Sequence, residues 1–177
     1  FNEGYSATAG DDWMRPGLCE DALRLGRVLA GLMPAEPEVH GLAALLEIQA
    51  SRAAARSGPG GAPVLLLDQD RSRWDQLLIR RGFAALARAE AAGRARGTAP
   101  GRYALQAAIA ASHARAVTPQ ETDWARIAEL YAALAALTGS PVVELNRAVA
   151  VSMANGPAAG LALVDALESG GHDPHSL

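Results

Sequence analysis

Apolar residues recur three and four positions apart along most of the chain, which is the spacing of one face of an α-helix. The first such stretch runs from about Gly17 to Met33 and stops at Pro34. Pro37 then stands at the favoured first-turn position of a second helix, where its missing N–H costs nothing. The two stretches predict a helical hairpin. The apolar face of the first helix is Leu18, Ala22, Leu25, Leu29 and Leu32, and the buried side of the second is Val39, Leu42, Leu45, Leu46 and Ile48.

A break follows at residues 57–63, where two prolines and three glycines cannot continue a helix. The apolar stretch from Val64 to Leu67 predicts a short extended or buried segment. Ser72, with Asp75 three positions later, matches the capping-box pattern and predicts the start of the next helix. The inner face of that helix is predicted to carry Leu78, Ile79, Phe83 and Leu86, before a second loop at residues 93–101.

From Arg102 onward the pattern predicts a succession of helices with short Gly/Pro turns. Residues 118–121 form a cap, a first-turn proline and a reciprocal Glu, which predict a helix start before Trp124. Gly139 predicts a helix end, and Pro141 and Pro157 predict two restarts. The pattern predicts an all-α fold of antiparallel helix hairpins stacked in an array like that of tetratricopeptide repeats (TPR-like).

Three parts are predicted along the chain, packed into one compact unit overall. Residues 1–56 form an N-terminal helical hairpin, residues 57–75 a Gly/Pro linker with a polar clasp, and residues 76–177 a TPR-like helical part.

Composition narrows the classes of function. The chain has 177 residues, 50% of them hydrophobic and 20% charged, as in a soluble globular protein. Its apolar runs are shorter than the roughly 20 residues that span a bilayer, so a cytoplasmic protein without a membrane segment is predicted. The net charge of −3, with arginines dispersed among carboxylates, argues against direct nucleic-acid binding. Cys19 is the single cysteine, which excludes an internal disulfide, and it is predicted to be buried.

The densest polar chemistry is the segment from Asp68 to Asp75, which is charged at five of eight positions. Asp68 and Asp70 supply carboxylate oxygens, but Arg71 and Arg73 would compete for them, so no metal site is predicted. One interpretation is a structural clasp, in which the two aspartates accept backbone N–H groups, the arginines pair with acidic neighbours and Trp74 packs into the hairpin. The other is a contact surface for a partner, and the two are compatible.

Two further polar groups are candidates for interaction. Asn2, Glu3 and Tyr5 belong to a segment predicted to dock on the residues from Asp68 to Trp74, with a ligand loop as the alternative. Asn146 and Arg147 lie early in a predicted helix, either in a binding groove or on a solvated face. No P-loop, dinucleotide fingerprint or nucleophile elbow is present, so no catalytic residue, cofactor or enzymatic activity is predicted.

Several sequence motifs, taken in order, are similar to one known family. The chain resembles the C-terminal TPR-like extension of a group of bacterial extracytoplasmic-function sigma factors, without sigma regions 2 and 4. The motifs are residues 1–6 (FNEGYS), 18–20 (LCE), 32–39 (LMPAEPEV), 68–75 (DQDRSRWD), 105–111 (LQAAIAA), 122–124 (TDW) and 140–150 (SPVVELNRAVA).

The resemblance implies a non-catalytic regulatory domain that modulates transcription initiation. Its implied partners are the sigma regions of the same full-length chain, RNA polymerase or another cytoplasmic protein. A second hypothesis is a free-standing TPR-like adaptor that binds a peptide. A third is an enzyme built on the segment from Asp68 to Trp74. The sequence indicates no oligomeric state.

Overall fold

The structure, a computed structural model, describes residues 16–58 and 61–170. Within these ranges the chain forms seven α-helices and no β-strand, with one isolated β-bridge between Ser57 and Pro63. The predicted all-α class is therefore confirmed, while stacking in a TPR-like array stays a prediction. The helices are α1 (Pro16–Leu32), α2 (Pro37–Ala50), α3 (Gln76–Arg96), α4 (Arg102–Arg115), α5 (Trp124–Thr138), α6 (Pro141–Asn155) and α7 (Pro157–Gly170).

The chain divides into two compact units, Phe1–Glu121 and Thr122–Leu177. This division differs from the predicted single unit and from the predicted boundaries after residues 56 and 75. The reason is that α3 and α4 pack directly against α2, so one core extends across both predicted boundaries.

Helix α2 is central to the first unit and packs against α1, α3 and α4. Two glycines permit the close approach. A Cβ at Gly41 would lie 2.6 Å from the backbone nitrogen of Ala104, and a Cβ at Gly82 would collide with Ile48. Leu46 and Ile48 are buried, as predicted. The core contains mainly small side chains, namely Ala43, Ala44, Ile48, Ala85, Leu86, Ala107, Ala110 and Ala111.

Helix α1 packs through its small residues rather than through its leucines. Gly26 faces α2, where a Cβ would lie 3.0 Å from Cδ1 of Leu46, and Ala30 packs against the core. The apolar face read from the sequence points elsewhere, since Leu25 is 60% exposed and Leu32 is 75% exposed. Cys19, predicted to be buried, is only partly buried.

The helix boundaries follow the local signals in most places. Pro37 and Pro141 occupy the first turns of their helices, and Gly97 and Gly139 end α3 and α5 with left-handed φ angles of 64° and 59°. The predicted start at residues 118–121 is wrong, because these residues form a 3-10 turn in which Glu121 accepts the backbone N–H groups of residues 117 and 118. The cap of α5 is instead Asp123, which accepts the Arg126 N–H at 2.9 Å.

In the second unit, α6 packs against both α5 and α7. The buried residues of the second unit include Ile127, Leu130 and Leu134 of α5 and Ala148 and Ala150 of α6. Three apolar residues of α6 are exposed, namely Leu145, Val149 and Met153.

Candidate functional site

The charged segment from Asp68 to Asp75 lies between α2 and α3 and contains a 3-10 turn at Arg71–Arg73. Asp70 caps this turn, because its carboxylate accepts both the backbone N–H and the hydroxyl of Ser72, at 3.0 and 2.6 Å. These hydrogen bonds hold the pKa of Asp70 below its ordinary value. Asp75 then caps α3 by accepting the N–H groups of Leu77 and Leu78, at 2.8 and 3.0 Å.

The predicted capping box with Ser72 as the cap of α3 is therefore wrong. The Ser72 hydroxyl donates to Asp70, and the helix begins three residues later than that pattern requires. A carboxylate at Asp75 reaches two orphan N–H groups of α3 at once, which a hydroxyl at Ser72 cannot do from outside the helix. The apolar stretch before the segment was predicted to be extended or buried. Leu65 is extended and 74% exposed, whereas Leu66 is partly buried and packs against the cluster that contains Trp74.

Arg71 anchors the segment to α4. Its guanidinium is buried, and Nη1 donates to the carbonyl oxygens of His113 and Ala116, both at 2.8 Å. These carbonyls belong to the carboxyl-terminal end of α4, where the helix leaves acceptors without intrahelical donors and where a cation is favourable. The clasp interpretation paired Arg71 with acidic neighbours, and these carbonyls take both of the hydrogen bonds from Nη1.

Trp74 anchors the same segment to the core. It is 3% exposed and packs with Ala55 and Ile79. The guanidinium carbons of Arg71 and Arg52 lie 5.2 and 5.6 Å from the centre of its ring, within the range of cation–π attraction. Trp74 therefore fixes two arginines as well as filling the space between the segment and the hairpin.

Two residues that sequence reasoning missed complete this network. Gln69 is 4% exposed, and its amide accepts from Nε of Arg52 at 3.1 Å and donates to the Val64 carbonyl at 3.1 Å. His113 is 8% exposed, and its pKa is lowered to about 4 by burial and by the charges of Arg52 and Arg71. The sequence feature that could have indicated Gln69 is its position as a neutral residue within a run of charged ones. No comparable feature indicates Arg52 or His113.

The other residues of the segment face solvent. Asp68, Asp70, Ser72 and Arg73 are exposed. Of these, Asp70 and Ser72 line a cavity of about 590 Å³, together with Arg71, Trp74 and residues 114–119. The indole Nε1 of Trp74 makes no hydrogen bond within the described part of the chain. The site therefore presents exposed carboxylates and an exposed guanidinium to solvent.

This arrangement suits binding by hydrogen bonds and ion pairs. Residues 16–58 and 61–170 contain no cluster of three or more His, Cys, Asp or Glu placed to hold a metal ion. Over the same ranges, no helix is both long enough and apolar enough to cross a membrane.

The remaining candidates lie outside the described residues or in the second unit. Asn2, Glu3 and Tyr5, with their predicted docking, lie outside the described residues. Asn146 is exposed on α6 of the second unit. Arg147 is half-buried there, and its Nε donates to Glu144 at 2.6 Å.

Comparison with known proteins finds a matching family model and a similar curated protein. A model described as a family of unknown function (DUF6596) matches residues 1–90, which include the charged segment. An uncharacterized protein of Rhizobium meliloti (strain 1021), R00370, is 53% identical over 167 residues, which are 94% of this chain and 38% of that relative. The chain thus spans well under half the length of the curated relative it matches. No solved structure matches the chain.

Proposed function

The chain belongs to the family of unknown function DUF6596, and from its own residues we propose that it is a non-catalytic regulatory and protein-interaction domain of a bacterial extracytoplasmic-function sigma factor. In this proposal it modulates transcription initiation in the cytoplasm through contacts with the sigma regions of the same full-length chain, with RNA polymerase or with another cytoplasmic protein. Its sequence motifs resemble those of such extensions.

The observation that carries the proposal is the difference in burial between side chains of the charged segment. Arg71 and Trp74 are buried and fix the segment to the helices, while Asp68 and Arg73 remain exposed beside them. Charged side chains held on a rigid support lose little conformational freedom on binding, so they favour recognition of a partner. The length of the relative supports a domain within a longer polypeptide.

Promoter-dependent transcription with purified RNA polymerase and the full-length protein tests the proposal. The Asp68→Asn/Arg73→Gln variant removes both exposed charges without touching Arg71 or Trp74. We expect it to change transcript yield by about fivefold or more, which is the lower range of coupling between two sites. Its thermal unfolding should match that of the unaltered protein, because exposed side chains away from packing features contribute little to stability.

The matched control is Glu90→Gln/Arg94→Gln, which makes the same charge changes on exposed positions of α3. Its transcription should equal that of the unaltered protein. A normal transcript yield from the Asp68→Asn/Arg73→Gln variant would contradict the proposal and leave the free-standing adaptor as the better explanation, since an adaptor has no effect on purified polymerase. Trp74 is unsuitable for this test, because truncating a buried tryptophan costs about 3–5 kcal/mol of stability.

A further inference from the structure

A second concave surface lies in the first unit, at a place that the charged segment does not reach. It is a groove of about 580 Å³ bordered by α1, α2 and α3. Its lining combines charged side chains with small ones. Arg27, Arg81 and Arg88 contribute guanidinium groups, and Ala30, Ala43 and Ala84 contribute only methyl groups.

The three arginines of the groove are not equivalent. Arg27 is paired with Glu47, since Nε and Nη2 donate to the two carboxylate oxygens at 2.7 and 2.9 Å. Glu47 is buried, and its negative charge is paired with Arg27. Arg81 and Arg88 are exposed, and neither makes an ion pair or a side-chain hydrogen bond within the described ranges.

The result is a basic groove on an acidic chain. Its lining residues carry three guanidinium groups against one carboxylate, whereas the whole chain has a net charge of −3. Arg81 and Arg88, which have no counter-ion among residues 16–58 and 61–170, create a positive potential in the groove that attracts an anionic ligand.

The spacing of the two unpaired arginines indicates the kind of anion. Arg81 and Arg88 are seven residues apart on one face of α3, which is two turns or about 10 Å along the helix axis. Carboxylates distributed along a peptide match two such positions, whereas a single small anion meets only one of them. The alanines that line the groove leave space for the peptide backbone and for the methylene groups of acidic side chains.

We propose that this groove binds an acidic peptide segment of a partner protein through Arg81 and Arg88. The volume falls within the range of ligand-binding clefts, so it accommodates a short run of residues rather than a folded domain. Arg27, fixed by Glu47, provides a positioned third guanidinium at the edge of the same groove.

Fluorescence anisotropy of the 177-residue chain with a labelled oligoglutamate peptide tests the proposal, with oligoglutamine of equal length as the uncharged probe. We expect oligoglutamate to bind and oligoglutamine not to bind. The Arg81→Gln/Arg88→Gln variant should weaken oligoglutamate binding by about tenfold or more, because two charge-assisted contacts are lost. Gln retains a high helix propensity, so circular dichroism should show an unchanged α3.

The control is Arg80→Gln/Arg94→Gln, which removes the same charge from exposed positions of α3 outside the groove. Its affinity should stay within about twofold of the unaltered chain, since screened surface charges at a distance contribute little. An equal loss in both variants would show non-specific attraction and overturn the proposal. So would failure of oligoglutamate to bind, or its displacement by inorganic pyrophosphate at equal or lower concentration, which would make the groove a small-anion site.

This measurement requires neither polymerase nor promoter, so its outcome is independent of the sigma-factor proposal. Peptide binding without any effect of Asp68 and Arg73 on transcription would retain the groove and reject the regulatory role. An effect of Asp68 and Arg73 on transcription without peptide binding would retain the regulatory role and reject the groove.

Discussion

His113 is the residue whose titration is most strongly shifted by the fold. It lies in the last turn of α4, where burial and the neighbouring Arg52 and Arg71 lower its pKa from 6.5 to about 4. Protonation would place a third cation in a site that already holds two. The folded state therefore keeps this imidazole neutral at neutral pH.

The shift makes stability depend on pH in a definite direction. Between pH 6.5 and about pH 4 the unfolded chain binds a proton at His113 that the folded chain does not bind, so stability falls as the pH falls through this window. The loss is at most about 3 kcal/mol. Urea unfolding across this range should show a shallower decline for His113→Gln than for the unaltered chain, because Gln cannot be protonated.

Other titrating groups contribute equally to both proteins, so the difference between the two curves isolates His113. Curves that run parallel from pH 6.5 to pH 4 would show that this imidazole keeps an ordinary pKa in the folded state.

Sequence reasoning at the residue scale found the charged segment, the N–H-accepting role of Asp70 and the inward packing of Trp74, but not the different roles of Arg71 and Arg73. Arg71 and Arg73 are two positions apart and chemically identical, yet one is buried and the other exposed. A 3-10 turn provides no amphipathic period long enough to separate them. What separates them is contact with His113 and Ala116, more than forty residues along the chain, which no local pattern encodes.

At the scale of elements, α4 is held at both ends by charged side chains from other parts of the unit. Glu38 of α2 accepts the N–H groups of Tyr103 and Ala104 at its amino-terminal end, at 2.8 and 3.1 Å. Arg71 donates to carbonyls at the other end. Both charges have the sign that the helix dipole favours, so they stabilise the helix as well as satisfy its orphan groups.

The first of these contacts predicts a stability effect that the sequence does not suggest. Glu38→Ala should lower the free energy of unfolding by about 1–3 kcal/mol, because two helix N–H groups lose their acceptor. Gly101, at the cap position of α4, cannot replace the lost acceptor, because it has no side chain. Chemical denaturation followed by circular dichroism measures the change.

Glu90→Ala is the matched control, since Glu90 is an exposed glutamate of α3. It should stay within about 0.5 kcal/mol of the unaltered chain. Equal effects of the two substitutions would mean that the contribution of Glu38 is one of general charge rather than of capping.

Helix boundaries were predictable where the signal is intrinsic to one residue. Pro37 and Pro141 start helices and Gly139 ends one because the pyrrolidine ring and the missing Cβ act locally. The two capping boxes failed because a carboxylate nearer to each helix, Asp75 or Asp123, caps it instead. Periodicity identified α1 as a helix but not its packed face, since α2 approaches through Gly26.

At the scale of the whole molecule, the all-α class followed from periodicity, whereas the division into two units did not. Residues 57–63 contain three glycines and two prolines, whereas residues 116–123 contain one proline and no glycine, so composition ranks the break at residues 57–63 above the junction at 121/122. The opposite is observed, because α2, α3 and α4 share a core across that break.

The division predicts unequal stability in the two units. The second unit has three described helices and few large buried side chains, while Leu145, Val149 and Leu161 stay exposed. Because a smaller unit buries a smaller fraction of its surface, its helices should open more readily. Hydrogen–deuterium exchange should show lower protection in α5, α6 and α7 than in α2, α3 and α4.

Ile127 provides the decisive variant, because its side chain is fully buried in the second unit. Ile127→Ala should raise exchange in α5 and α6 by about tenfold or more, since a cavity of this kind costs about 2–5 kcal/mol. Exchange in α2, α3 and α4 should stay within about twofold, because their core is separate. A parallel increase in all five helices would mean that the two units unfold cooperatively, which would contradict the prediction.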